Sequence, residues 1–290
     1  MASLDTLGDS TLRIVASFYL GLACYASGDH QRAEELFRAA VLSLEGDLSR
    51  QRCGLAGFPA AMSRSYLGLA VANRGAFGEG IANAEEGIRV AEALDHPYSL
   101  IVACWSLGLL YDVKGDPGEA ARVLERGLAL CREWKLTVLV PLVSGPLGYA
   151  YALTGRVTEG LSLLSQALQD METMGRGAYH SQVVVHLGEA CLLAGRLDEA
   201  RTFAERALML TRNRGERGDE ASALCLLGDV AAQGDPLDVR TAEEHYRMAM
   251  ALAEELRDAS PRRSLPPRPR HSAWPPGNIE RGPRAPEPER

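Results

Sequence analysis

Six Leu-Gly pairs set inside apolar stretches punctuate this chain of 290 residues, and the last five recur at intervals of 40. They are Leu20-Gly21, Leu67-Gly68, Leu107-Gly108, Leu147-Gly148, Leu187-Gly188 and Leu227-Gly228, with 47 residues between the first two. A fixed period in this range marks a stacked array, in which each unit buries its apolar face only against its neighbours. Such arrays bind molecules along a surface; they rarely do chemistry.

The positions around each pair repeat as well. With Leu as position 7 and Gly as position 8, the third unit reads Leu107, Gly108, Tyr111, Gly115, Ala120, Leu124, Gly127. The fourth reads Leu147, Gly148, Tyr151, Gly155, Gly160, Leu164, Ala167, and the fifth Leu187, Gly188, Cys191, Gly195, Ala200, Ala204, Ala207. Apolar residues at spacings of three and four predict two helices per unit. The glycine at position 15 predicts the turn between them, because glycine adopts positive φ where a helix ends. Asp29 and Asp116 then suit the N-terminus of the second helix. Small residues at positions 8 and 20 predict close approach of neighbouring helices. Pro141 fits the first turn of a helix, where its missing N–H costs nothing. The extra residues after the first unit fall in Gly46–Pro59. The units so delimited are 11–46, 60–95, 97–136, 141–175, 179–214 and 218–256, with a tail at 257–290.

This pattern resembles the tetratricopeptide repeat over about residues 11–256. One departure is the period, since the usual unit has 34 residues. The resemblance implies an all-α, right-handed superhelical solenoid of about six helix pairs. It also implies a concave groove lined by the first helix of each pair. Carried onto this chain, the groove positions are Phe18, Leu22 and Tyr25, then Met62 and Asn73, then Trp105, Leu109 and Asp112. Tyr149, Gln182, Glu189, Asp229 and Gln233 complete them. Aromatic towards the N-terminal half and acidic towards the C-terminal half, this set suits a protein or peptide with an apolar and a basic segment; Trp and Tyr are frequent anchors at interfaces. Trp105 and Tyr149 have a second reading, as packing against the next unit.

Several stretches are similar to the C-terminal repeat regions of bacterial proteins that join a class III nucleotide cyclase or an AAA-type ATPase module to such repeats. They are Ser43-Leu44-Glu45-Gly46-Asp47-Leu48, Asp95-His96-Pro97-Tyr98-Ser99-Leu100, Ala103 to Tyr111, Val123 to Cys131, and Leu187 to Arg196. The resemblance implies the regulatory arm of a nucleotide-signalling or ATPase protein, without its catalytic domain. Two alternatives stand beside it: an inducer-binding arm of a transcription regulator, and an enzyme in its own right.

Motifs speak against the enzyme. No Gly-Lys dipeptide exists to form a Walker A loop, and neither HExxH nor GxSxG occurs. No catalytic residue, cofactor or metal is expected. Six cysteines without a CxxC read as small buried hydrophobes in a reducing cytoplasm. His180 and His186 are six apart, off a shared helix face, and read as solvent or turn residues. No run reaches about 18 uncharged apolar residues, so no transmembrane span is expected, and the N-terminus lacks a signal-peptide layout.

The net charge of −7 hides an asymmetry. Residues 257–290 hold eight Arg against four acids, so the array itself is acidic. That speaks against nucleic acid and against an anionic membrane face. Nine of the fifteen prolines lie in 261–288, a density no helix survives. The tail reads as a disordered terminus, as a polyproline ligand at Pro266-Pro267-Arg268-Pro269-Arg270, or as an out-of-frame continuation into a seventh repeat. In the last case the Met248, Met250 and Leu252 face would meet water and favour self-association.

Overall fold

The computed structural model describes residues 10–258, except 45, 176 and 235–237. The Pro/Arg-rich tail and Met1–Asp9 lie outside the described residues. Within them the chain forms twelve α-helices joined by short turns. They run α1 Ser10–Ser27, α2 His30–Ser43, α3 Pro59–Asn73, α4 Phe77–Ala93, α5 Pro97–Lys114 and α6 Pro117–Glu133. Then come α7 Val140–Leu153, α8 Val157–Thr173, α9 His180–Leu193, α10 Leu197–Arg214, α11 Arg217–Gln233 and α12 Val239–Asp258. Successive helices pair, and the pairs stack as a tetratricopeptide-type solenoid.

Local chemistry fixes the helix ends. Gly28, Gly75, Gly115, Gly155 and Gly195, the position-15 glycines, all have φ between +73° and +91° where a first helix stops. Asp29 and Asp116 accept hydrogen bonds from the backbone N–H of Arg32 (3.0 Å) and Glu119 (3.4 Å), each satisfying an otherwise orphaned donor. Pro59, Pro97, Pro117 and Pro141 occupy first turns. Pro146 sits inside α7, where its missing N–H deprives the Leu142 carbonyl of its helical donor.

The six position-8 glycines are buried, and each is pressed by a neighbour. A Cβ on Gly21 would lie 2.7 Å from the Phe37 ring, on Gly108 2.4 Å from Leu124, and on Gly228 2.6 Å from Tyr246. On Gly68 and Gly148 it would meet the carbonyl oxygens of Gly80 (2.6 Å) and Gly160 (2.8 Å), and on Gly188 it would meet Leu226 of the following pair at 2.4 Å. The preceding leucine is buried in five of the six pairs. Leu20 is 47 % exposed, because no described pair precedes α1. Phe37, Leu124 and Leu164 are fully buried between helices, each stabilising the stack by roughly 1.5–3 kcal/mol.

Two expectations need correction. Leu252 does not meet water: it packs with Ala249 and Leu256 on Leu224 of α11, while Met248 and Met250 remain exposed. His180 and His186 are not solvent residues, since both are buried. The cysteines carry no disulfide among the described residues, and Cys104, Cys131 and Cys191 are buried. None of the described helices is long and apolar enough to cross a membrane.

The array also turns back on itself. The end of α1 reaches the last pair: α1 touches α11, and a Cβ on Gly28 would lie 3.1 Å from Leu256 Cδ2 of α12 and 3.8 Å from the Gly218 nitrogen. Six pairs thus complete one turn.

Candidate functional site

Inside this turn lies a cavity of about 610 Å³. Its walls come from the first helix of every pair: Phe18, Leu22 and Tyr25 of α1, Met62, Tyr66 and Asn73 of α3, Tyr98, Val102, Leu109 and Val113 of α5, Leu142 of α7, Gln182 of α9, and Asp219 and Ser222 of α11. Leu55, in the insertion after the first pair, closes one side. A helix with its apolar stripe against its partner leaves the opposite stripe to line the hollow, and small residues at the pair contact bring that stripe inward.

Aromatic rings form one wall. Phe18 meets Tyr66 edge-on at 5.8 Å, Phe37 stacks on Tyr66 at 5.6 Å, and Tyr66 lies 5.7 Å from Trp105. Tyr179, just before α9, reaches across from the fifth pair. Its ring meets Trp105 edge-on at 4.6 Å and its hydroxyl donates to that of Tyr66 at 3.4 Å. The reach requires a left-handed backbone at Tyr179, φ +61°. Arg214 holds the segment by donating to the Gly177 carbonyl (3.0 Å) and the Ser181 hydroxyl (3.3 Å). Burial, with Tyr66 and Tyr25 nearby, raises the Tyr179 phenol well above its ordinary range.

Carboxyl groups border the cavity as well. Asp219 and Glu216 border the cavity at the start of α11. Burial, then the neighbouring Glu216, raises the Asp219 carboxyl to about 7. Asp112, on α5, is raised to about 8 by burial and by Glu189.

The groove residues expected from repeat position divide into four groups. Phe18, Leu22, Tyr25, Met62, Asn73, Leu109 and Gln182 come together around the cavity, where the Asn73 amide donates to the Tyr25 hydroxyl at 3.2 Å. Trp105 is a correction: it is fully buried, a core ring between Tyr66 and Tyr179 rather than a groove surface. Asp112, Tyr149 and Glu189 belong to a separate polar cluster, with the Tyr149 ring stacked on His186. Asp229 accepts from the Tyr246 hydroxyl at 2.6 Å within its own pair, and Gln233 is exposed at the end of α11. Repeat position did not single out Tyr66, Tyr98, Tyr179, Asp219 or Leu55. The only apolar bulk in the otherwise glycine-rich Gly54-Leu55-Ala56-Gly57 was a signal for Leu55. Tyr179 had none, since its role depends on the array closing.

No group of three or more His, Cys, Asp or Glu side chains among the described residues is spaced to hold a metal ion.

A tetratricopeptide repeat family model matches residues 14–47, 101–126 and 182–206, which fall on the first, third and fifth pairs. No curated protein matches the sequence significantly. Solved structures share the fold. A Rap protein complexed with Competence and Sporulation Factor superposes with a TM-score of 0.67 at 16 % identity, over 88 % of this chain and 68 % of its own. The Rap conjugation gene regulator of plasmid pLS20, in complex with the Phr* peptide, gives 0.58 at 14 % identity, over 83 % and 74 %. BtubC from P. vanneervenii gives 0.53 at 19 % identity, over 80 % and 91 %.

Proposed function

We propose that this tetratricopeptide-type solenoid is a peptide receptor without chemistry of its own, enclosing a short peptide in the hollow of its single turn. The observation that carries the reading is the cavity itself: about 610 Å³, lined by the first helix of all six pairs, with aromatic rings and the carboxyls of Glu216 and Asp219 on its lining. An apolar or aromatic side chain would seat beside Phe18, Tyr66 and Tyr98. Aromatic rings give large contact area at low entropic cost, and grooves built this way read a peptide through a few anchors.

The reading favours an inducer-binding arm over the regulatory arm of an ATPase or cyclase. Its support is that two proteins of the same fold were solved as complexes, one with Competence and Sporulation Factor and one with the Phr* peptide. The carboxyls on the lining suit a peptide with a basic segment, as the charge distribution of the array already suggested.

Selection of random hexapeptides on the immobilised chain tests the proposal. Enriched sequences should share an apolar anchor, and Leu22→Arg with Ser222→Arg, which place bulk and charge across the cavity, should abolish their binding while helix content is kept. Failure to enrich any sequence, or equal binding by the filled variant, would sink the reading.

A further inference from the structure

Helix α12 ends at the border of the cavity. Leu256, in its last turn, lies so near Gly28 that a Cβ there would sit 3.1 Å from Leu256 Cδ2 and 3.8 Å from the Gly218 nitrogen. Gly28 and Gly218 both line the cavity. Arg217 of α11 pairs with Glu255 of α12 and ties that turn to the start of α11. Glu216 and Asp219, the carboxyls on the lining, belong to the same stretch of chain. The helix stops at Asp258, so residue 259 leaves the array beside them.

The sequence beyond that point carries what the lining calls for. Glu216 Oε2 is buried and has no hydrogen-bond partner among the described residues. Burial, then the neighbouring Glu216, raises the Asp219 carboxyl to about 7, and a cation placed there would relieve both groups. From Ala259 to Trp274 the chain holds four arginines, Arg262, Arg263, Arg268 and Arg270, and no Asp or Glu. The same stretch holds two large apolar side chains, Leu265 and Trp274. A basic run with an apolar anchor is the ligand chemistry that the cavity selects. Seven residues separate Asp258 from Leu265, a reach of about 22 Å for an extended proline-rich chain, enough to cross a cavity of about 610 Å³. Pro261, Pro266, Pro267 and Pro269 have φ fixed before any binding, which lowers the entropic cost of ordering the segment. Attachment at the border makes the encounter intramolecular, at an effective concentration on the order of millimolar.

We infer that residues 261–270 of this chain occupy its own cavity, as a tethered competitor that any free peptide must displace. Arg262 and Arg263 meet Glu216 and Asp219, and Leu265 takes the apolar seat beside Phe18, Tyr66 and Tyr98. The inference rests on the peptide reading and adds its regulation: a free peptide registers only when it outcompetes the attached segment.

A labelled synthetic peptide of residues 259–276 tests this on the full chain by fluorescence anisotropy. Leu265→Asp lies beyond the helices and leaves them intact. The Leu265→Asp chain should bind the peptide about tenfold more tightly than the parent, whose cavity is filled by its own segment. Adding Leu22→Arg and Ser222→Arg to Leu265→Asp should abolish that binding. The peptide carrying R262E and R263E should bind at least about tenfold more weakly. Equal affinity of parent and Leu265→Asp, no binding to either, or binding that survives the filled cavity or the charge reversal overturns the inference. A parent dimer that dissociates on Leu265→Asp also overturns it, by placing the segment in a second copy. Hexapeptide selection on both chains separates the two readings. Equal enrichment on parent and Leu265→Asp removes the tethered competitor and leaves the receptor. Failure to enrich on either chain, while Leu265→Asp still binds peptide 259–276, leaves the tethered segment and removes the receptor for foreign peptides.

Discussion

The second and fourth helix pairs solve the packing problem differently from the first, third and sixth. In α3/α4 and α7/α8 the position-8 glycine faces a glycine, so backbone lies on backbone. In α1/α2, α5/α6 and α11/α12 the same glycine faces a side chain, Phe37, Leu124 or Tyr246. The residue at position 20 decides which occurs. It is Gly80 and Gly160 in the first group, and Ala33, Ala120 and Ala242 in the second. One sequence mark therefore serves two contacts: one in which nothing can yield, and one in which a side chain can turn aside.

The largest expected effect probes the rigid contact. Gly148→Leu should cost about 4 kcal/mol by overpacking against the Gly160 backbone, seen as a melting temperature lower by roughly 10 °C. Alanine sharpens the contrast. Gly148→Ala should cost about 2 kcal/mol, because its Cβ would meet a carbonyl oxygen. Gly228→Ala should cost about 1 kcal/mol or less, since its neighbour is the outer edge of the half-buried Tyr246 ring, which can swing aside, and alanine gains helix propensity. Equal losses in denaturant titrations of these two variants would break the comparison. Smaller still, Gly155→Ala should lose about 1 kcal/mol from backbone strain alone: its φ is +90° and the space around it is open. Gly118→Ala, in the first turn of α6 with nothing within 4 Å, should stabilise by about 0.5 kcal/mol. A loss there would mean that open space does not predict tolerance in this array.

Much of the fold was legible because a repeat writes its contacts many times. Gly115 alone is a weak turn signal; five glycines at one position, each with positive φ, are a strong one. The small positions could be read for the same reason, whereas the meeting of positions 8 and 20 in Gly-Gly contacts emerges only from the structure. The cavity was legible only in part. Phe18, Tyr25 and Met62 follow from helix phase, which fixes the face opposite the core. Trp105 has the same phase but is fully buried, because Tyr179 from two pairs further on lies over it. Contacts between distant pairs depend on the curvature of the whole stack, and curvature sums small rotations that no single unit records. His186 shows the same limit: spacing along one helix argues against a metal site, but gives no hint of Tyr149 and Asp112 on two other helices.

The junction of α1 with α11 and α12 differs in kind from every other contact around the ring. Elsewhere the polypeptide itself runs from pair to pair and no separation is possible without unfolding a turn. Here Leu256 merely rests against Gly28, so the circle is fastened by a clasp. The two ends of the described array, remote in sequence, thus bear on each other, and trimming α12 should slacken α1.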